Sequence, residues 1–115
     1  MKLIHAIIQP TKLNAVKEAL AAVAVERLTV CDAQGIGQQR GQTQTFRGHE
    51  YKTDLLRKIA LEIAVNDDFV ERTIEAISSV ARTGPEGHIG DGKIFVMPME
   101  ETINLNGPVR GPEAV

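Results

Sequence analysis

Ile59-Ala60-Leu61-Glu62-Ile63-Ala64-Val65-Asn66-Asp67-Asp68-Phe69-Val70 is the stretch on which the fold turns. Along an extended chain, Ile59, Leu61, Ile63 and Val65 point to one side, and Ala60, Glu62 and Ala64 to the other. That is a strand with one buried face. Asn66-Asp67-Asp68 then offers cap chemistry and the negative charge that favours a helix N-terminus. Beyond it Val70, Ile74, Ile77 and Ala81 recur at helical spacing. The period changes within one short connection, so a strand runs directly into a helix.

Towards the C-terminus, Arg82–Val96 reads Arg-Thr-Gly-Pro-Glu-Gly-His-Ile-Gly-Asp-Gly-Lys-Ile-Phe-Val. Lys93–Met97 is a further strand, ended by Pro98. The segment 82–92 before it carries Gly84, Gly87, Gly90 and Gly92. Glycine takes positive φ without a steric cost, so successive N–H groups can form an anion-binding concavity. Lys93 adds a positive charge at its mouth. Those are the parts of a phosphate cradle, and equally those of a plain helix-to-strand turn. It is not a Walker loop, because Gly92-Lys93 leads into Ile94-Phe95-Val96 rather than through Ser or Thr into a helix. The tail 100–115, with Gly107, Pro108, Gly111 and Pro112, is expected to have little to pack with.

Towards the N-terminus, Leu3–Ile8 is an apolar run broken only by His5, as in a strand covered on both faces. Gln9-Pro10 stops it, and Thr11 is the expected cap of a helix carrying Leu13, Val16, Leu20 and Val23 on one face. Glu26–Gly35 reads as another strand, with Leu28 and Val30 opposite Thr29, Cys31 and Ala33. From Gly37 to about Arg57 there is no periodicity, and loops of that length are usually functional. The order is β-α-β-loop-β-α-β. It matches the α+β, ferredoxin-like βαββαβ arrangement, a four-stranded antiparallel sheet with two helices on one face. Ile4, Ile8, Cys31, Ala33, Ala60 and Ala64 are apolar enough for the second face to be buried in an oligomer.

Composition narrows the function classes. The chain has 115 residues, enough for one domain spanning 1–115, and a net charge of −2 with no basic block. Direct nucleic-acid binding is therefore not expected. The single cysteine, Cys31, excludes an intrachain disulfide. No apolar run approaches the ~20 residues of a membrane span. The start lacks the shape of a signal peptide, so a cytoplasmic, non-membrane location is expected. No Ser–His or Cys–His pair suggests a nucleophile, and Asp91 has no obvious second carboxylate, so an enzyme is not expected. His5, His49 and His88 share no ligand spacing, so no protein-held metal site is expected.

Several motifs are more specific. Ile89-Gly90-Asp91-Gly92-Lys93-Ile94-Phe95-Val96 resembles the second signature of the PII signal-transduction proteins. Gly35-Ile36-Gly37 leading to Gln39 and Gly41, then Arg47-Gly48-His49-Glu50-Tyr51, resembles the other. Ala6-Ile7-Ile8-Gln9-Pro10, Lys17-Glu18-Ala19-Leu20 and Ala81-Arg82-Thr83-Gly84 fit as well, and the likeness runs through essentially the whole chain. It implies a homotrimer with nucleotide clefts between subunits. It also implies long T-loops, here about residues 37–54 between strands 2 and 3, that touch target proteins. Such targets are ammonium transporters and nitrogen-metabolism enzymes or regulators. ATP and ADP compete for the clefts, and 2-oxoglutarate joins Mg²⁺-ATP. Carried onto this sequence, Gly90, Asp91, Gly92 and Lys93 would hold phosphates. Thr29, Glu62 and Ala64 would lie near adenine, and Gly35, Ile36, Gly37 and Gln38 near the nucleotide from the loop root. Gln39 would help hold Mg²⁺ and 2-oxoglutarate, with Lys58 on a carboxylate of that acid and no other metal contact. Tyr51 matches a tyrosine that some members nucleotidylate, and an unmodified contact residue is the equal alternative. His49 stands where some relatives phosphorylate a serine.

The departures from that pattern share one sign. Gln38 stands for a usual arginine. Three residues inserted after Gly84 bring His88 to a lysine position, and Asn104 and Asn106 occupy two arginine positions. Fewer cations would weaken ATP most, leaving ADP or AMP preferred or all adenylates weakly bound, and 2-oxoglutarate sensing reduced or lost. The alternatives are compensation by Arg40, Arg82 or Arg110, or an interaction trimer that no longer uses nucleotides.

Overall fold

The computed structural model describes residues 1–37 and 54–115. Its element order is β1 (Lys2–Ile8), α1 (Leu13–Ala22), β2 (Thr29–Gly37), β3 (Asp54–Val65), α2 (Val70–Ala81) and β4 (Gly92–Pro98). The four strands form one antiparallel sheet in the order β2-β3-β1-β4. Both helices lie on one face, giving the ferredoxin-like βαββαβ fold. Among the described residues no helix is long and apolar enough to cross a membrane.

Register explains which face is the core. Ile4 sits between Ile63 and Val96, Ala6 between Leu61 and Ile94, and Ile8 between Ile59 and Gly92. Ile4, Ala6, Ile8, Ile59, Leu61 and Ile63 are buried, and they pack with Val16 and Leu20 of α1 and Ile77 of α2. The period-two reading of Ile59–Val65 holds, because β3 is an inner strand with its odd-numbered residues against the helices.

Some expectations are corrected. Ile4 and Ile8 face the helices, not a subunit partner, because β1 alternates buried and half-buried residues and is covered by helices on one side only. The opposite face carries Leu3, Ile7, Cys31, Ala60, Phe95 and Met97, as cross-strand pairing dictates. Thr11 does not cap α1. It lies inside a short 3₁₀ turn, Pro10–Lys12, and no side chain caps either this turn or α1. Asn66 does occupy the cap position of the turn Asp67–Phe69 but makes no capping bond. Its amide donates instead to the Pro112 carbonyl at 3.2 Å, and Asp67 accepts from the chain's amino group at 3.0 Å. Most of the tail is exposed, as expected, but it is not featureless. Ile103 bridges Arg110, a 3₁₀ turn spans Gly111–Ala114, and Ala114 is buried. β2 starts at Thr29 rather than Glu26 and runs on to Gly37, since β3 extends back to Asp54 and pairs with it throughout.

α1 ends without glycine. Val25 N–H bonds back to the Leu20 carbonyl at 2.9 Å while Ala24 takes φ of 65°. In that region an L-residue costs roughly 1–2 kcal/mol and glycine almost nothing. Ala24→Gly is expected to raise unfolding stability by about 1 kcal/mol, read as a higher urea midpoint at unchanged slope. A lower midpoint would contradict this reading of the helix end.

Candidate nucleotide site

The loop between α2 and β4 is built around one carboxylate. Asp91 Oδ2 accepts the backbone N–H groups of Thr83 and His88, each at 2.8 Å. Its Oδ1 accepts the Thr83 hydroxyl at 2.6 Å and the Gln9 amide at 3.3 Å. Partial burial, the largest single influence, would raise the pKa of this acid. The donors of Thr83 and His88 and the positive field of the His88 ring outweigh it, and the pKa falls to about 2. A carboxylate so engaged is a brace for the loop, and its charge is directed at the loop's own donors rather than at a bound phosphate.

Two glycines are required by contact as well as conformation. A Cβ on Gly92, where φ is 126°, would lie 1.8 Å from the Ile7 carbonyl oxygen. Gly92 is where β4 joins β1, so no side chain fits between the strands. At Gly87, with φ of 75°, a Cβ would meet Arg82 Cγ at 3.0 Å and Asp91 Oδ2 at 3.2 Å. The braced loop opens on a cleft of about 690 Å³. Arg82, His88 and Lys93 line it, with Ile74 and Ile77 of α2 at its apolar wall.

The residues expected near adenine meet elsewhere. Thr29 pairs across the sheet with Glu62, and Ala64 follows on the same face of β3. These three line a second cleft of about 500 Å³ together with Leu3 and Asn104. Among the described residues the two clefts have no lining residue in common. Gly35, Ile36 and Gly37 end β2, opposite Leu56, Leu55 and Asp54. Gln38, Gln39 and Tyr51 lie outside the described residues, as do Arg40, His49 and most of the segment 37–54.

Of the cations considered as compensation, Arg82 lines the loop cleft, whereas Arg110 is paired with Glu101. Asn104 N–H donates to the Val109 carbonyl, closing the turn that exposes Leu105 and Asn106. The bracing roles of Gln9 and Thr83 were not read from the sequence. Neither has a local signature, since the partner, Asp91, is reached only after the chain folds.

The brace sets a pH dependence. Because the folded pKa of Asp91 is depressed, its contribution to stability is complete above the unfolded value of about 3.9. It is lost as pH falls through the folded value of about 2. Asp91→Asn is expected to lower stability at neutral pH and to flatten the acid limb of the stability profile between these two values. An unchanged acid limb in Asp91→Asn would contradict the brace.

Comparison with known proteins matches this architecture to one family. A family model described as Nitrogen regulatory protein P-II matches residues 1–107. The chain is 48% identical over 115 residues to the Nitrogen regulatory protein P-II of Azospirillum brasilense, with both chains fully covered. It is 48% identical over 115 residues to the Nitrogen regulatory protein GlnK1 of Methanosarcina mazei, covering all of this chain and 97% of that one. The Nitrogen regulatory protein P-II of Rhodospirillum rubrum is likewise 48% identical over the full length of both chains. On its ferredoxin-like fold, its glycine loop and these matches, the chain belongs to the P-II family of nitrogen regulatory proteins.

Proposed function

We propose that this chain is a nucleotide-responsive regulator of nitrogen metabolism, working as a homotrimer in the cytoplasm, without catalysis of its own. The observation that carries the reading is the loop before β4, pinned through Asp91 and opening beside Arg82, His88 and Lys93. Backbone held in fixed curvature beside the cations Arg82 and Lys93 is suited to a diphosphate. Gly90, Gly92 and Lys93 would hold phosphates, and Thr29, Glu62 and Ala64 would receive the base. Gly92 and Lys93 line one cleft, and Thr29, Glu62 and Ala64 another on the same chain, so a site shared between neighbouring subunits accounts for both. The apolar sheet face with Leu3, Ile7, Cys31 and Phe95 supports burial in such an assembly. The segment 37–54 would contact targets, an ammonium transporter or a nitrogen-metabolism enzyme or regulator, with Tyr51 as contact residue or modification site.

Charge decides which nucleotide. Gln38, His88, Asn104 and Asn106 stand at positions where the family resemblance implies cations. A charge-assisted hydrogen bond contributes roughly 1.5–3 kcal/mol, so the triphosphate, which carries most charge, loses most. ADP or AMP would bind in preference to ATP, and Mg²⁺ with 2-oxoglutarate, which would need Gln39 and Lys58, would add little. Titration calorimetry of ATP, ADP and AMP, with and without Mg²⁺ and 2-oxoglutarate, tests this. Tight Mg²⁺-ATP binding strengthened by 2-oxoglutarate would overturn the charge argument, and no binding of any adenylate would leave a ligand-independent interaction trimer. Asn104→Arg with Asn106→Arg is expected to raise ATP affinity at least about tenfold, and ADP affinity less.

A further inference from the structure

We infer that Lys58 is a positioning residue of the glycine loop, holding it in its phosphate-receiving shape before any effector arrives. The inference rests on reading that loop as a phosphate cradle, and it adds to Lys58 a role distinct from pairing with an effector carboxylate. Lys58 lies on β3, opposite Ala33 of β2, and is only 8% exposed. An ammonium removed from water must be compensated by acceptors. Its Nζ donates to the Gly90 carbonyl at 2.6 Å. The Gln9 amide donates to the same oxygen at 3.3 Å, so both lone pairs of that carbonyl are engaged.

A peptide unit is planar, so fixing the Gly90 oxygen also fixes the direction of the Asp91 N–H, which donates to the His88 carbonyl at 3.1 Å. Lys58 and Gln9 thus orient the backbone of the loop, while Asp91 closes its two ends. The stem of Lys58 has a second neighbour. A Cβ on Gly35, at the root of the long loop, would lie 3.6 Å from Lys58 Cγ. One side chain therefore bonds to the glycine loop and runs close beside Gly35, the two segments that the nucleotide reading brings together. The ammonium has further donors, so an effector carboxylate can be received without release of Gly90.

The test compares wild type with Lys58→Met and Lys58→Arg, in the complete absence of 2-oxoglutarate. Amide hydrogen exchange of His88–Gly92 in the ligand-free protein is expected to quicken about tenfold in Lys58→Met, with the β1–β3 ladder unchanged and Lys58→Arg restoring most of the protection. ADP affinity is expected to fall about tenfold in Lys58→Met while adenosine affinity, which does not use the phosphate loop, stays at the wild-type value. Wild-type loop exchange and wild-type ADP affinity in Lys58→Met would overturn the inference, leaving Lys58 an effector ligand alone. Faster exchange throughout the sheet would overturn it too, as a loss of fold. If wild type binds no adenylate, the nucleotide reading fails, and the loop exchange still decides the role of Lys58.

Discussion

The carboxylate of Asp91 is the constraint on which the candidate site depends. It gathers two backbone N–H groups and two side-chain donors from three separate parts of the chain: the end of β1, the end of α2 and the loop itself. Without it, a glycine-rich connection has many conformations of similar energy, because glycine loses more conformational freedom on ordering than any other residue. With it, the loop has one shape, and the steric fit of Gly92 against Ile7 locks that shape to the start of β4. The site is therefore built outward from an anion whose acceptor positions are already taken up by the loop's own donors. Arg82 and Lys93 line the cleft beside it, together with Glu86.

How much of this is legible in the sequence depends on which forces act locally. Ile59–Val65 and, of the helical stripe, Val70, Ile77 and Ala81 declare themselves, because a one-sided core imposes its period on any strand or helix lying against it. Ile74 of the same stripe lines the loop cleft instead. The β1 run did not declare its face. Leu3, Ile4, Ile7 and Ile8 are all apolar, since the outer face is apolar as well, and composition cannot separate two apolar faces. Register does so at once, by setting Ile4 opposite Ile63. The caps failed for another reason. Thr11 and Asn66 have cap chemistry, but short 3₁₀ turns lead into both helices, and Asn66 finds a distant carbonyl instead. The tail has little to pack with apart from Ala114, and its Gly and Pro residues shape the short turn that buries that one side chain.

The candidate loop stands out in the sequence by its glycines and Lys93, and its supports do not. Gln9, Thr83 and Lys58 act on Gly90 or Asp91 from 8 to 82 residues away in sequence. Long-range bonds of this sort leave no spacing to recognise. The charge balance, by contrast, is a matter of identity alone. Relatives that share nearly half the residues and the whole length fix the fold, while substitution at a few exposed cations is free to retune the ligand. This chain keeps the scaffold of its family; the charge balance proposed above would act on that scaffold without altering it.

The central claim is that the glycine loop and the distant Thr29–Glu62–Ala64 cleft serve one ligand. Its most direct test is an amide NMR titration of the ¹⁵N-labelled protein with ADP. The account requires the amides of Gly90–Lys93 and those of Thr29, Glu62 and Ala64 to shift together, on a single binding curve. Shifts in only one of the two groups, or two curves of different midpoint, would contradict it.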